Sequence, residues 1–285
     1  MILTTKMKIA LAGIAYQTVA MGRTIVGKSH CVTVRRGGAK WDLDLNEGID
    51  FSIYLLGAFE KSTVQTLRKL VRPGDVVFDI GANIGAHTLG LAQGVGPNGR
   101  VYAFEPADFA FTKLKRNLAL NPELLARTDA RQILLAAEVI APCQTEIYAS
   151  WPLKTDAPVH PKHRGRLVSA LHASVDTLDC LVKREGVERL DLIKMDVDGS
   201  EYPVLKGGLR TIAKFRPILV MEMSPYVHAE QNQSFEALVA LLRNCGYSLQ
   251  DASTWESLPL RSDLLEALIP DGASINVIAR ASAAT

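Results

Sequence analysis

The chain has 285 residues, with 32 basic against 30 acidic side chains and a net charge of +2. That length buries about three quarters of the unfolded surface, so one large core forms without staples. The balanced charge supplies no global field for nucleic acid or anionic lipid. Four dispersed cysteines, Cys31, Cys143, Cys180 and Cys245, form no CxxC pair and argue against a zinc centre or disulfide framework, placing a reduced protein in the cytoplasm.

The first element is an apolar stretch from Met7, "MKIALAGIAYQTVAMG", broken by Gln17 and Thr18. It reads as an amphipathic helix packing on the main domain, in preference to a signal peptide, and no other segment is apolar for long enough to cross a bilayer. Residues 1–72 carry little periodicity and form an N-terminal extension or cap to the domain of residues 73–285. From Pro73 onward, short apolar runs alternate with helical segments, the pattern of a parallel α/β sheet. The strand candidates are "VVFDIG" from Val76, "VYAFEP" from Val101, "QILLAAEV" from Gln132, "DLIKMD" from Asp191, "ILVMEM" from Ile218, "YSLQD" from Tyr247 and "INVIAR" from Ile275. Helices are expected after Gly85 and in "ADFAFTKLKRNLALN", "TLDCLVKREG", "EYPVLKGGLRTIAKF" and "SFEALVALLRNCG", the last stopping at Gly246. No full helix separates the last two strands, so one of them runs antiparallel.

The turn "DIGANIGAH", residues 79–87, joins the first strand to the first of these helices. Read as a dinucleotide fingerprint it aligns Gly81, Asn83 and Ala86, and Asn83 stands where a bare glycine must admit a pyrophosphate. That speaks against a nicotinamide or flavin dinucleotide. Glu105 ends the second strand 20 residues beyond Gly85, where a carboxylate accepts both hydroxyls of an adenosine ribose. The pairing keeps an adenosine and drops the phosphates, which fits S-adenosylmethionine, its amino-acid carboxylate at the helix N-terminus beyond Gly85. A purely structural glycine turn is the competing reading of the loop taken alone.

"VFDIGANIGAHTLGLA", "GRVYAFEP", "TLDCL", "LDLIKMDVDGSEYPVLKGG" and "PILVMEM" occur in the order found in the FkbM family of S-adenosylmethionine-dependent methyltransferases, which residues 55–250 resemble. The resemblance implies the class I methyltransferase fold, a Rossmann-like seven-stranded sheet with the last strand antiparallel. It also implies that Asp79, Gly81, Asn83 and Gly85 form the cofactor loop and that Glu105 holds the ribose. Where the family has "DVEG", this chain has "DVDG", with the shorter carboxylate of Asp198.

"KMDVDGSE" places Lys194, Asp196, Asp198 and Glu201 at the ligand-binding edge of the fourth sheet strand. Asp198 with Gly199 also reads as a turn, and Glu201 as the opening carboxylate of a helix. Asp196 is expected to touch both cofactor and acceptor. Glu222 ends the fifth strand and His228 follows it, so Asp196, Glu222 and His228 are the candidate catalytic groups around an acceptor hydroxyl. That hydroxyl has a pKa near that of water, ~16, and must lose a proton. The irregular stretch from Ser150 carries Lys154, His160, Lys162, His163, Arg164 and Arg166 against Asp156, and reads as a basic lid or a solvated loop. No metal site is assigned, because nothing places carboxylate partners beside His160 and His163.

The expected function is therefore O-methylation of a hydroxyl on a small-molecule or glycan acceptor, a carbohydrate or secondary metabolite, by a protein with no nucleic-acid partner and no membrane span. The alternatives are a non-catalytic adenosine-cofactor scaffold and, against the evidence of Asn83, a nicotinamide-dependent oxidoreductase.

Overall fold

The computed structural model describes residues 5–139, 146–149, 152–154, 158–159 and 165–282. The extension supplies α1 (Thr5–Ile25), the hairpin β1 (Cys31–Arg36) and β2 (Ala39–Asp44), then α2 (Gly48–Leu56) and α3 (Lys61–Leu70). The main alternation begins with β3 (Val76–Ile80), α4 (Thr88–Val95), β4 (Arg100–Phe104), α5 (Asp108–Ala119), α6 (Pro122–Leu125) and β5 (Thr128–Arg131). Short strands follow, β6 (Ile133–Leu135), β7 (Glu146–Ala149), β8 (Arg166–Ser169) and β9 (Ser174–Asp176), then α7 (Leu178–Arg184) and β10 (Leu192–Met195). The chain continues through α8 (Glu201–Lys206), α9 (Leu209–Phe215), β11 (Ile218–Met223), α10 (Pro225–Glu230), α11 (Phe235–Asn244) and β12 (Tyr247–Asp251). It closes with β13 (Ser257–Leu258), α12 (Ser262–Leu268) and β14 (Ile275–Ala281).

The main sheet runs β13-β12-β14-β11-β10-β3-β4-β5. The strands from β5 to β11 pair in parallel, and β14 inserts antiparallel between β11 and β12. This is the class I methyltransferase order, with the two-residue β13 added at the edge. One strand differs from expectation. "QILLAAEV" does not supply the third sheet strand: β5 lies earlier, and β6 leaves the sheet to pair with β9. The expected helix over "EYPVLKGGLRTIAKF" breaks into α8 and α9 at Gly207 and Gly208. A Cβ on Gly207 would stand 2.2 Å from the Ala136 carbonyl oxygen, so the backbones meet there and only glycine fits.

Strand alternation divides the core between the two faces of the sheet. Phe78, Ile193 and Leu219 pack under the helices α7–α9 and α11, whereas Val77, Leu192 and Val220 pack with Trp41, Leu43, Phe51 and Leu67 of the extension. The N-terminal residues thus share that face with α4, α5 and α6. Their attachment is also polar: Asn117 of α5 and Asn121, just before α6, accept from the β2 amides of Asp42 and Lys40, both at 2.8 Å. Asp50 and Lys113 form a buried ion pair in which burial raises the Asp50 carboxyl to about 6 against the pull of Lys113. Along α1, Tyr16 is the anchor, donating to Asn46 Oδ1 at 2.6 Å and standing edge-on to Phe51, while Ile14, Met21 and Ile25 stay exposed. Among the described residues no helix is long and apolar enough to cross a membrane.

Candidate active site

The turn after β3 is shaped by its own neighbours. Gly81 has φ +77, and a Cβ there would lie 1.9 Å from the Asp196 carbonyl oxygen, so the glycine admits the end of β10. Gly85, at φ +92, is held bare by Leu89 and Leu114. Both glycines are thus accounted for by close packing within the chain. Asn83 takes a left-handed conformation, φ 48, which its side chain tolerates by accepting from the Ile84 amide at 2.8 Å. Its own amide donates to Glu105 Oε2 at 2.8 Å, and the Ala107 amide donates to Glu105 Oε1 at 2.9 Å. Glu105 therefore ties the turn to the end of β4. Burial raises its carboxyl to about 7 against the opposing effect of those two amides.

Asp79, Lys194 and Glu222 fall on the sheet face that carries Val77, Leu192 and Val220, because side chains two residues apart share a face. Lys194 is buried, with Nζ 3.0 Å from the Gly81 carbonyl oxygen, 3.3 Å from Asp79 Oδ1 and 3.9 Å from Asp196 Oδ2. Burial disfavours its charge, but Asp79, Asp196 and Glu60 outweigh that and raise its pKa. Asp79 is fully enclosed and accepts from the Thr88 hydroxyl at 2.6 Å; burial raises its carboxyl, opposed by Lys194.

The register pairs Met195 with Met221, so Asp196 and Glu222 end adjacent strands at the same level. Asp196, Asp198 and Glu222 bring one oxygen each within 4.8 Å of one another, the grouping among the described residues with the donors to hold a metal ion. Carboxylates this close repel one another. Burial, then Asp196 and Glu60, push Glu222 well above the usual carboxylate range. Desolvation, then the charges of Asp196 and Glu105, raise the carboxyl of Asp198, an exposed residue.

His228 lies elsewhere than expected. As the fourth residue of α10 it turns inward, 0 % exposed, with Nε2 3.2 Å from Glu201 Oε2 and no opening to the cleft. Burial raises Glu201 to about 8 and lowers His228 to about 4, so at neutral pH the pair is an uncharged carboxyl against an uncharged imidazole. Glu201 also accepts from the Val197 amide at 3.3 Å, and Gly199 packs on Val227. The pair thereby braces the Asp196–Gly199 loop from behind.

Two groups escaped the sequence reading. Glu60, in a left-handed turn between α2 and α3, accepts from Thr63 and Asn276 and acts electrostatically on both Lys194 and Glu222. Nothing in the aperiodic extension signals it. His87 follows the turn directly but was read only as its end. Of the basic stretch, Lys154 is exposed and Arg166 pairs with Glu47 at 3.3 Å. Asp156, His160, Lys162, His163 and Arg164 lie outside the described residues.

The comparisons with known proteins agree with this geometry. The chain is 31% identical over 162 residues to the 31-O-demethyl-FK506 methyltransferase FkbM of Streptomyces tacrolimicus, across 48% of this chain and 60% of that one. It is 28% identical over 156 residues to the methyltransferase sdnD of Sordaria araneosa, across 46% and 59%. It is 27% identical over 173 residues to the 2-O-methyltransferase NoeI of Sinorhizobium fredii, across 53% and 65%. The chain thus spans about 60% of the length of these curated relatives. The model of the methyltransferase FkbM domain matches residues 79–249, from the buried aspartate of β3 to the edge strand β12, and the chain belongs to that family.

Proposed function

We propose that the chain is an S-adenosylmethionine-dependent O-methyltransferase acting on a hydroxyl of a carbohydrate or secondary metabolite. The observation that supports it most is Glu105, held by the turn amide of Asn83 at the end of β4 inside the matched family domain. The donor set suits that cofactor. Glu105 stands at the edge for the ribose, Asp79, Gly81, Asn83 and Gly85 shape the loop, and the Asp196 carboxylate favours a cation at the strand ends. When bound, the cofactor supplies an electrophilic methyl group.

The chain's own task is then to hold the acceptor and take its proton. In this reading the Asp196–Asp198–Glu222 cluster receives it as a coupled unit. Lys194 fixes Asp196 and the turn in one arrangement. His228 acts through Glu201 on the loop and is a positioning residue. The relatives named for 31-O and 2-O methylation support oxygen as the acceptor atom.

The test is release of S-adenosylhomocysteine by the purified chain with a panel of sugars and hydroxylated metabolites. Turnover that depends on a hydroxyl acceptor supports the reading. Cofactor binding without turnover on any acceptor would favour a non-catalytic scaffold, and binding of NAD in its place would favour an oxidoreductase.

A further inference from the structure

The hairpin, α2, α3 and α4 enclose a pocket on the face covered by the extension, with walls that include Ala39, Trp41, Ile53 and Leu67. Its α4 wall includes Gly90 and Gly94, four residues apart on one side of the helix, with Ala86 in the turn just before it. Gly94 is explained by packing, since a Cβ there would touch Val71 at 3.1 Å. Gly90 is not: a Cβ there would meet no heavy atom within 4 Å. A glycine inside a helix is less favourable than an alanine, and here it leaves open space.

His87 stands in the wall of this pocket, 5 % exposed, and neither ring nitrogen has a hydrogen-bond partner. A buried polar atom left unbonded is costly, because it has given up water without a replacement. Its near neighbour, the Phe59 ring at 6.1 Å, offers no bond that would replace one. The other polar groups of the wall are the exposed Arg68 side chain and the Gln93 amide.

We propose that this pocket is a binding site for a small neutral alcohol, its apolar body against Trp41, Ile53, Leu67 and Gly90 and its hydroxyl bonded to His87. Burial, and then the Lys194 charge, hold the imidazole well below its ordinary pKa, so it presents one N–H and one bare nitrogen. A hydroxyl, which donates and accepts, complements that pair. A carboxylate or an ammonium would be desolvated against largely apolar walls, and the cation among them, Arg68, is exposed and pairs only weakly. The proposal is independent of methyl transfer.

Titration of the full chain with 2-methylpropan-1-ol, followed by the NMR resonances of the His87 ring and the Gly90 amide, tests it. The expected result is saturable shifts at both residues in the millimolar range, with sodium 2-methylpropanoate producing none. Gly90→Leu fills the space and should weaken binding at least tenfold while the chain still melts cooperatively. His87→Leu should weaken it about fivefold, the loss of one hydrogen bond; this variant decides the matter if Gly90→Leu fails to fold. No saturable shift at His87 and Gly90, undiminished binding in both variants, or tighter binding of the carboxylate would overturn the proposal.

Discussion

At the β3–β4 half of the strand edge, polar groups satisfy one another: the Asn83 and Ala107 amides take both oxygens of Glu105, and Thr88 takes an oxygen of Asp79. At the β10–β11 half, Asp196, Asp198 and Glu222 crowd within 4.8 Å, and the neighbouring Glu60 adds to the repulsion. The first half is built as a preformed cradle and the second as a store of proton affinity. That contrast is what a site needs if it must hold one ligand in place and change the protonation of another.

Lys194 joins the halves, and removing it is the harshest way to break the contrast. Lys194→Met leaves Asp79 and Asp196 without their buried counter-charge and should destabilise the fold by about 3–5 kcal/mol. Urea unfolding measures this, and a loss below 1 kcal/mol would mean that the buried carboxylates simply stay protonated. The next effect is kinetic. Glu222→Gln keeps shape and hydrogen bonding but cannot take up a proton, so turnover should fall about 10²–10⁴-fold at saturating cofactor. Turnover within a few-fold of the parent would show that the displacement needs orientation alone.

The β3–β4 half was the more legible from sequence, because its logic is local. The strand-turn-helix of "VFDIGANIGAH", with Glu105 at the end of the next strand, is written in contiguous residues, and the spacing survives into the structure. The family resemblance puts Gly81 and Gly85 in the cofactor loop, and what tertiary packing adds is the close approach of Asp196 to Gly81 and of Leu114 to Gly85. The third strand was misplaced because "ILLAA" carries the stronger apolar run, while β5 (Thr128–Arg131) is a polar edge strand. At the β10–β11 half, Asp196 and Glu222 were found by their place at strand ends. His228 was not placed correctly, since the inward turn of α10 depends on its packing, and Glu60 arrives from a segment with no periodic signal.

Smaller effects sharpen the contrast. Protonated Glu105 accepts poorly from a ribose, so affinity for S-adenosylhomocysteine should strengthen as pH rises through about 7, and Glu105→Gln should flatten that dependence. Calorimetry across pH 6–8.5 checks the slope, and a parallel pH response in the variant would exclude Glu105 as its source. The mildest change is Glu201→Gln. The folded chain holds Glu201 protonated up to about 8, while the unfolded chain releases that proton near the ordinary value of 4.5. Stability from this group is therefore complete below the lower value and is lost as pH rises toward the higher one. Glutamine removes the penalty, so the variant's melting temperature should match the parent at pH 4 and exceed it at pH 8.

The separation of duties between the two halves is tested most directly by calorimetric titration of S-adenosylhomocysteine into the parent, Glu105→Ala and Glu222→Gln side by side. Loss of a charge-assisted hydrogen bond should weaken binding to Glu105→Ala by roughly 1.5–3 kcal/mol, while Glu222→Gln binds within a few-fold of the parent. Undiminished binding by Glu105→Ala, or a comparable loss in Glu222→Gln, would contradict the division of the site into a cofactor half and an acceptor half.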